Sequence, residues 1–223
     1  PPRAPAPVVL PVPYMVRLWA CAAACCAVGL LCLRSATAVP LTLLDPRSYP
    51  LARCMDGSPG GFYLEKAARV VPPTSAETAP GAALVDAATS WVIELEGGGE
   101  CASQRLCDTR RGTHLASSLY FPAETTLGFL ASGNPEHNPR LSKWNRVHVP
   151  YCSQDLWMGT RTTNAPGDAP GNGTLGYYFA GHHVLDAVLA ELEASHGLGD
   201  ATNIVLTGES AGGIGVWPNL DWL

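Results

Sequence analysis

The stretch Asn203-Ile-Val-Leu-Thr-Gly-Glu-Ser-Ala-Gly-Gly213 decides how this chain is read. Its first half, Asn203 to Thr207, is a short, β-branched, apolar run of the kind that forms a buried strand. Its second half, Gly208-Glu-Ser-Ala-Gly212, matches G-x-S-x-G, the nucleophile elbow. A serine hydroxyl attacks well only if it stands clear of the backbone toward a base. The strand-to-helix turn that achieves this has no room for Cβ atoms on either side, hence a glycine two residues before and two after Ser210. The next residue, Ala211, opens a helix, so its N–H lacks an intrahelical partner and points where an oxyanion would form. Ser210 is the expected nucleophile.

Upstream, Trp91-Val-Ile-Glu-Leu95 reads as a strand running straight into Glu96-Gly97-Gly98-Gly99-Glu100-Cys101. A glycine triplet alone is an ordinary flexible turn. Paired with an elbow downstream, it predicts backbone N–H groups turned inward as the other half of an oxyanion hole. Cys101 and Cys107, if bridged, would fix that loop. Phe62 to Leu64 is a short apolar run, Pro72 to Gly81 a loop, and Arg146 to Val149 a candidate strand stopped by Pro150. Tyr177 to His196 is the clearest helix, with Leu185, Val188, Leu189 and Leu192 at i, i+3, i+4 and i+7 and Gly197 as its stop. Strand 146–149, this helix and strand 203–207 form a βαβ unit, so the fold class is α/β with parallel strands and a right-handed crossover. His182 and His183, near the helix start, are read as packing or surface residues. A helix should begin after the elbow, with Pro218 kinking or ending it.

The 223 residues are 47% hydrophobic and 15% charged with 23 Gly and 20 Pro, which suits one loop-rich globular domain plus something extra at the start. Leu18 to Leu33 is an uncharged, mostly apolar run behind Arg17, and Ser35-Ala-Thr-Ala38 ends it like a signal-peptidase site. Its 16 residues fall short of the roughly 20 that span a bilayer. Residues 15–38 are therefore expected to be a signal peptide starting at Met15, residues 1–14 upstream sequence or a gene-model artefact, and the mature, secreted chain to begin near Val39. Losing residues 1–38 removes Arg3, Arg17 and Arg34 and no acid, so 14 basic residues become 11 against 19 acidic and the net charge moves from −5 to −8. Such a surface disfavours nucleic acid, anionic membranes and long polyanions.

Cys21, Cys25, Cys26 and Cys32 would leave with the leader; Cys54, Cys101, Cys107 and Cys152 remain. Four cysteines in an exported chain suggest two disulfides, with three possible connectivities. Zinc is the poorer explanation, since there is no C-x-x-C and no histidine cluster, and neither metal nor cofactor is expected. Asn172-Gly-Thr174, in a polar loop, is the one glycosylation sequon.

Taken together, Cys54-Met-Asp-Gly-Ser-Pro-Gly-Gly-Phe-Tyr-Leu64, Leu95-Glu-Gly-Gly-Gly-Glu-Cys101, Trp144-Asn145, Pro150-Tyr-Cys-Ser153 and Gly208-Glu-Ser-Ala-Gly-Gly213 make the chain resemble the pectin acetylesterase/Notum family from about Tyr49 to Leu223. The resemblance implies a secreted, disulfide-bonded carboxylesterase with an α/β-hydrolase-like, mostly parallel sheet and a Ser-Asp-His triad. Its substrates would be esters of an acylated glycan or of a lipid-acylated protein. By motif, Ser210 would be the nucleophile, the N–H groups of Gly98, Gly99 and Ala211 the oxyanion donors, and Cys101–Cys107 and Cys54–Cys152 the disulfides. Glu100 departs from the aromatic residue usual in that loop and would oppose a developing oxyanion unless it points away or is paired. In this fold the acid and histidine follow the serine, yet after Ser210 come only Asp221 and no histidine. Residues 39–223 are accordingly read as the N-terminal portion of the domain, incomplete at the C-terminus, and of little or no turnover alone. Upstream pairs, His114 with Asp155 or His148 with Asp168, have no local support. The competing readings are a non-catalytic secreted binding protein and a structural glycoprotein whose elbow is a relic.

Overall fold

The computed structural model describes residues 38–68, 86–162 and 176–222. The expected leader up to residue 37, the loop from Pro72 to Gly81, Asp168 and Asn172 lie outside them.

Six strands form one mixed sheet: β1 (Val39–Leu43), β2 (Gly61–Glu65), β3 (Ser90–Leu95), β4 (Glu124–Thr125), β5 (Asn145–Val149) and β6 (Asn203–Gly208), in the order β4-β1-β2-β5-β3-β6. The β4-β1-β2-β5 side pairs antiparallel, whereas β5, β3 and β6 run parallel. The reason lies in the connections. A parallel neighbour needs a long crossover, and the chain between β5 and β6 supplies one as helix α2 (Gly181–His196). The expected βαβ unit is present with one refinement: β5 and β6 do not touch but flank β3. All six residues of β3 are buried, as the continuous apolar run of a central parallel strand requires.

Trp91, Ile93 and Leu95 of β3, with Val147 and Val149 of β5, pack against Val184, Leu185, Val188 and Leu192 of α2 in the main core. This is the helix face its periodicity marked out. The helix begins at Gly181 rather than Tyr177 because the preceding residues pair as extended backbone: Tyr178 N–H donates to Met55 O (2.9 Å) and Phe179 N–H to Arg161 O (3.0 Å). Asp155, from a distant turn, then accepts the Gly181 N–H at 2.7 Å and serves as the helix's cap. At the other end Gly197 takes the left-handed conformation (φ 81°) that closes a helix.

Helix α1 (Gln104–Arg110) follows the glycine triplet, and α3 (Ala211–Asn219) follows β6. Pro218 sits in the last turn of α3, which ends one residue later at Asn219. There the Asn219 side chain donates to Gly215 O (2.7 Å), and the chain tightens into a 3₁₀ turn over Leu220–Trp222. Both disulfides are formed as the resemblance implied, Cys54–Cys152 and Cys101–Cys107, with Cα–Cα separations of 4.9 and 5.0 Å.

Candidate active site

The parallel strands β3 and β6 lie side by side, Leu95 level with Gly208, so the turns that leave their C-terminal ends emerge together. From β3 comes Glu96-Gly97-Gly98-Gly99; from β6 comes Glu209-Ser210 and then α3. This register makes the site. Two motifs more than 100 residues apart in sequence become one surface.

At the elbow, Ser210 holds φ 48° and ψ −117°, a conformation costly for any residue with a Cβ. Gly212 N–H donates to Glu209 O (2.7 Å) and Ile214 N–H to Ser210 O (3.0 Å), closing the first turn of α3 around it. The flanking glycines are sterically required: a Cβ on Gly208 would lie 2.6 Å from Gly212 O, and one on Gly212 would run into Leu95 O. Ser210 is exposed, while Ala211 is buried in the main core as the first residue of α3. Its N–H therefore belongs to the helix's unpartnered first turn.

The facing loop is held as tightly. Gly97 abuts the elbow, where a Cβ would sit 2.7 Å from Glu209 O and 3.0 Å from the Ser210 Cβ. Gly98 and Gly99 have φ of 151° and 74°, in the half of backbone space that favours glycine. The Leu115 side chain and the Tyr151 ring back Gly98. Just beyond, the Cys101–Cys107 bridge and the Cys101 N–H to Gln154 O bond (3.1 Å) fix the loop's far end. Glu100 is exposed, and its charge is felt by Tyr151, whose ring backs Gly98.

Two buried or half-buried carboxylates, Glu94 and Glu96, lie at the end of β3 and the start of the loop. Glu94 on β3 is buried, accepts the Ala131 N–H (3.2 Å), and is pushed up to about 7 by burial, with Glu209 and Glu96 adding to the shift. Glu96 is also raised, chiefly by burial; the Tyr151 N–H it accepts at 2.7 Å and His114 beside it act in the opposite sense. His114 Nε2 lies 3.7 Å from Glu96 Oε1, so the upstream pairing with Asp155 is not the one formed. Asp155 instead accepts from Ser153 Oγ (2.6 Å), Trp157 N–H (3.1 Å) and Gly181 N–H. His148 is held neutral, its pKa lowered to about 4 by burial, beside the Tyr63 ring. His182 is a packing residue, its Nδ1 2.7 Å from Asn219 Oδ1.

A cavity of about 310 Å³ opens nearby, lined by Met55, Asp56, Arg111, Ala116, Tyr120 and Tyr177 among others. Ala116 adjoins Leu115, which packs on Gly98, so the cavity begins one residue from the glycine loop. Among the described residues no group of three or more His, Cys, Asp or Glu could hold a metal ion, and no helix is long and apolar enough to cross a membrane. Motif reading located the elbow, the loop and the stretch that holds Tyr151, but not Trp157 or Asn219, which support them.

A serine on a strained strand-to-helix turn, faced by a glycine loop from the neighbouring parallel strand, defines the α/β-hydrolase-like class. The family model for pectinacetylesterase matches residues 32–223, and the chain belongs to that family. It is 35% identical over 173 residues to the palmitoleoyl-protein carboxylesterase NOTUM of Schmidtea mediterranea, covering 77% of this chain and 28% of that protein. It is 32% identical over 163 residues to pectin acetylesterase 5 of Arabidopsis thaliana, covering 73% of this chain and 33% of that one. The crystal structure of the Wnt deacylase Notum from Drosophila superposes with a TM-score of 0.65 at 35% identity, over 83% of this chain and 47% of that chain. The chain thus spans about a third or less of these curated relatives' length.

Proposed function

We propose that the complete protein is a secreted serine carboxylesterase that removes acyl groups from a glycan or a lipid-acylated protein, and that these residues supply its nucleophile and oxyanion hole. The observation that supports this is the close approach of Gly97 to the Ser210 elbow, which brings the glycine loop beside the serine. Ser210 Oγ attacks the ester carbonyl, and its proton passes to a histidine. The N–H groups of Gly98, Gly99 and Ala211 hold the tetrahedral oxyanion; the alcohol leaves, and water releases the acid from the acyl-enzyme.

His114, His148 and His182 are engaged by Glu96, the Tyr63 face and Asn219 respectively. In this class of fold the acid and histidine follow the serine in chain order, so in the complete protein the base and its acid are assigned to residues that follow Ser210. The two disulfides support an oxidising, extracellular setting, and Asn172 is the proposed glycosylation site. The chain's net negative charge favours a neutral acylated glycan or a lipid-modified protein over a polyanion.

The test is hydrolysis of p-nitrophenyl acetate by the complete protein. Turnover abolished by Ser210→Ala supports the reading; turnover that survives this substitution refutes it. Residues 39–223 alone are expected to show at most about 10³–10⁴-fold acceleration over water, the residue left by binding and an oxyanion hole without a base.

A further inference from the structure

We infer that Trp157 is the positioning residue that locks the two halves of the oxyanion hole to each other. This rests on the reading of Ser210 and its facing loop as an esterase site, and it adds a residue that no motif marks.

Trp157 touches every element that builds the hole. Its indole Nε1–H donates to Glu96 O at 3.1 Å, the last carbonyl before the glycine triplet. Its own carbonyl accepts from Asn219 Nδ2 at 3.0 Å, at the end of α3, and the same Nδ2 reaches Gly215 O at 2.7 Å. Both acceptors are carbonyls, so the amide orientation of Asn219 is fixed and its Oδ1 must face His182 Nδ1 at 2.7 Å, the protonated nitrogen of that ring. The body of Trp157 is wedged between two helices through glycines. A Cβ on Gly215 of α3 would come within 2.5 Å of the Trp157 Cβ, and one on Gly181 of α2 within 2.8 Å of its Cα. The Tyr151 ring, which backs Gly98, stacks at a tilt on the indole with centroids 5.2 Å apart.

The backbone is strained to place it there. Gln154, Leu156 and Trp157 have φ of 57°, 58° and 62°, a region that bulky side chains seldom enter. Such a turn persists only where its surroundings over-determine it. Here they do so through Asp155, which binds the Trp157 N–H and the Gly181 N–H, and through Tyr151 Oη, which accepts the Leu156 N–H at 2.7 Å. One indole thus spans from Glu96, at the root of the Gly98–Gly99 amides, to the helix that carries the Ala211 amide.

Trp91 is the matched control: fully buried in the same core, but with an indole N–H that has no hydrogen-bond partner among the described residues. In the complete protein, Trp157→Phe keeps an aromatic ring and loses the bond to Glu96. Amide exchange in peptides covering 96–99 and 210–213 is expected to rise together about fivefold or more. Labelling of Ser210 by a fluorophosphonate is expected to slow about tenfold, the loss of roughly one hydrogen bond's worth of alignment. Trp91→Phe should lower global stability without either change. Should Trp157→Phe fail to fold, Asn219→Ala, which frees the Trp157 carbonyl from α3, carries the same pair of readouts. The inference is overturned if the two peptides do not loosen together, or if Trp91→Phe loosens them as much. Wild-type protein whose Ser210 is not labelled would sink the esterase reading instead, while the exchange comparison would still decide the role of Trp157.

Discussion

The backbone of Gly97 lies against the elbow so closely that a Cβ there would stand 3.0 Å from the Cβ of Ser210. Two stretches of chain far apart in sequence, the glycine loop and the elbow, are thereby held in contact.

That contact makes Gly97→Ala a sharp test. The new methyl meets Glu209 O and the Ser210 Cβ, neither of which can withdraw without moving the elbow. Overpacking of this kind costs about 1–3 kcal/mol. Urea unfolding of the variant should show a loss of that size, with Ser210 reactivity toward a phosphonate falling much further than stability does.

Glu94 and His148 sit level with each other on adjacent strands and titrate in opposite senses. Folded Glu94 keeps its proton up to about 7 while the unfolded chain releases it near 4.5, so its contribution is full below 4.5 and lost as pH rises to 7. Folded His148 stays neutral down to about 4 while the unfolded chain binds a proton below 6.5, so its contribution is full above 6.5 and lost as pH falls to 4. Each is worth up to about 3 kcal/mol. They offset one another between about 4.5 and 6.5. Denaturation of Glu94→Gln across pH 4 to 8 should reveal stability rising with pH through that window, and His148→Phe should reveal it falling; parallel curves for the two variants would contradict both assignments.

The two disulfides should differ in weight. Cys54–Cys152 closes a separation of 98 residues and Cys101–Cys107 one of 6. Loop-closure entropy assigns about 4–5 kcal/mol to the first and about 2 to the second. Paired Cys→Ser variants compared by calorimetry should rank in that order, with the smaller stability loss nevertheless producing the larger loss of Ser210 reactivity, because it frees the glycine loop.

At the sheet's margin β6 pairs only with β3 among the described strands, and Ile204 is 41% exposed. Beside it α3 presents Ile214 and Trp217, the latter 80% exposed. An apolar edge strand next to an apolar helix face invites association. Residues 39–223 expressed alone should sediment as oligomers, and Ile204→Lys with Trp217→Glu should shift them toward monomer; a monodisperse parent chain would count against this.

The parts of the site legible in sequence were those where chemistry dictates residue type at fixed spacing. Gly208, Ser210 and Gly212 had to be small, nucleophilic and small, and the triplet after Leu95 had to admit backbone inward. The long apolar face of α2 was legible for the same local reason. The strand order was not: nothing near Arg146 or Asn203 signals that β3 lies between them. Nor was the start of α2, where pairing of Tyr178 and Phe179 with Met55 and Arg161 overrode helical propensity. Trp157 and Asn219 were invisible for a third reason. Each acts on backbone groups at sequence distances up to 62 residues, and no spacing rule encodes such a contact.

The most direct test of the whole account is to treat the complete, disulfide-intact protein with a fluorophosphonate and locate the adduct by mass spectrometry. The account predicts stoichiometric modification at Ser210, lost in Ser210→Ala and slowed by Gly97→Ala. A folded protein that takes up no label, or takes it on another serine, would mean that this elbow holds no nucleophile.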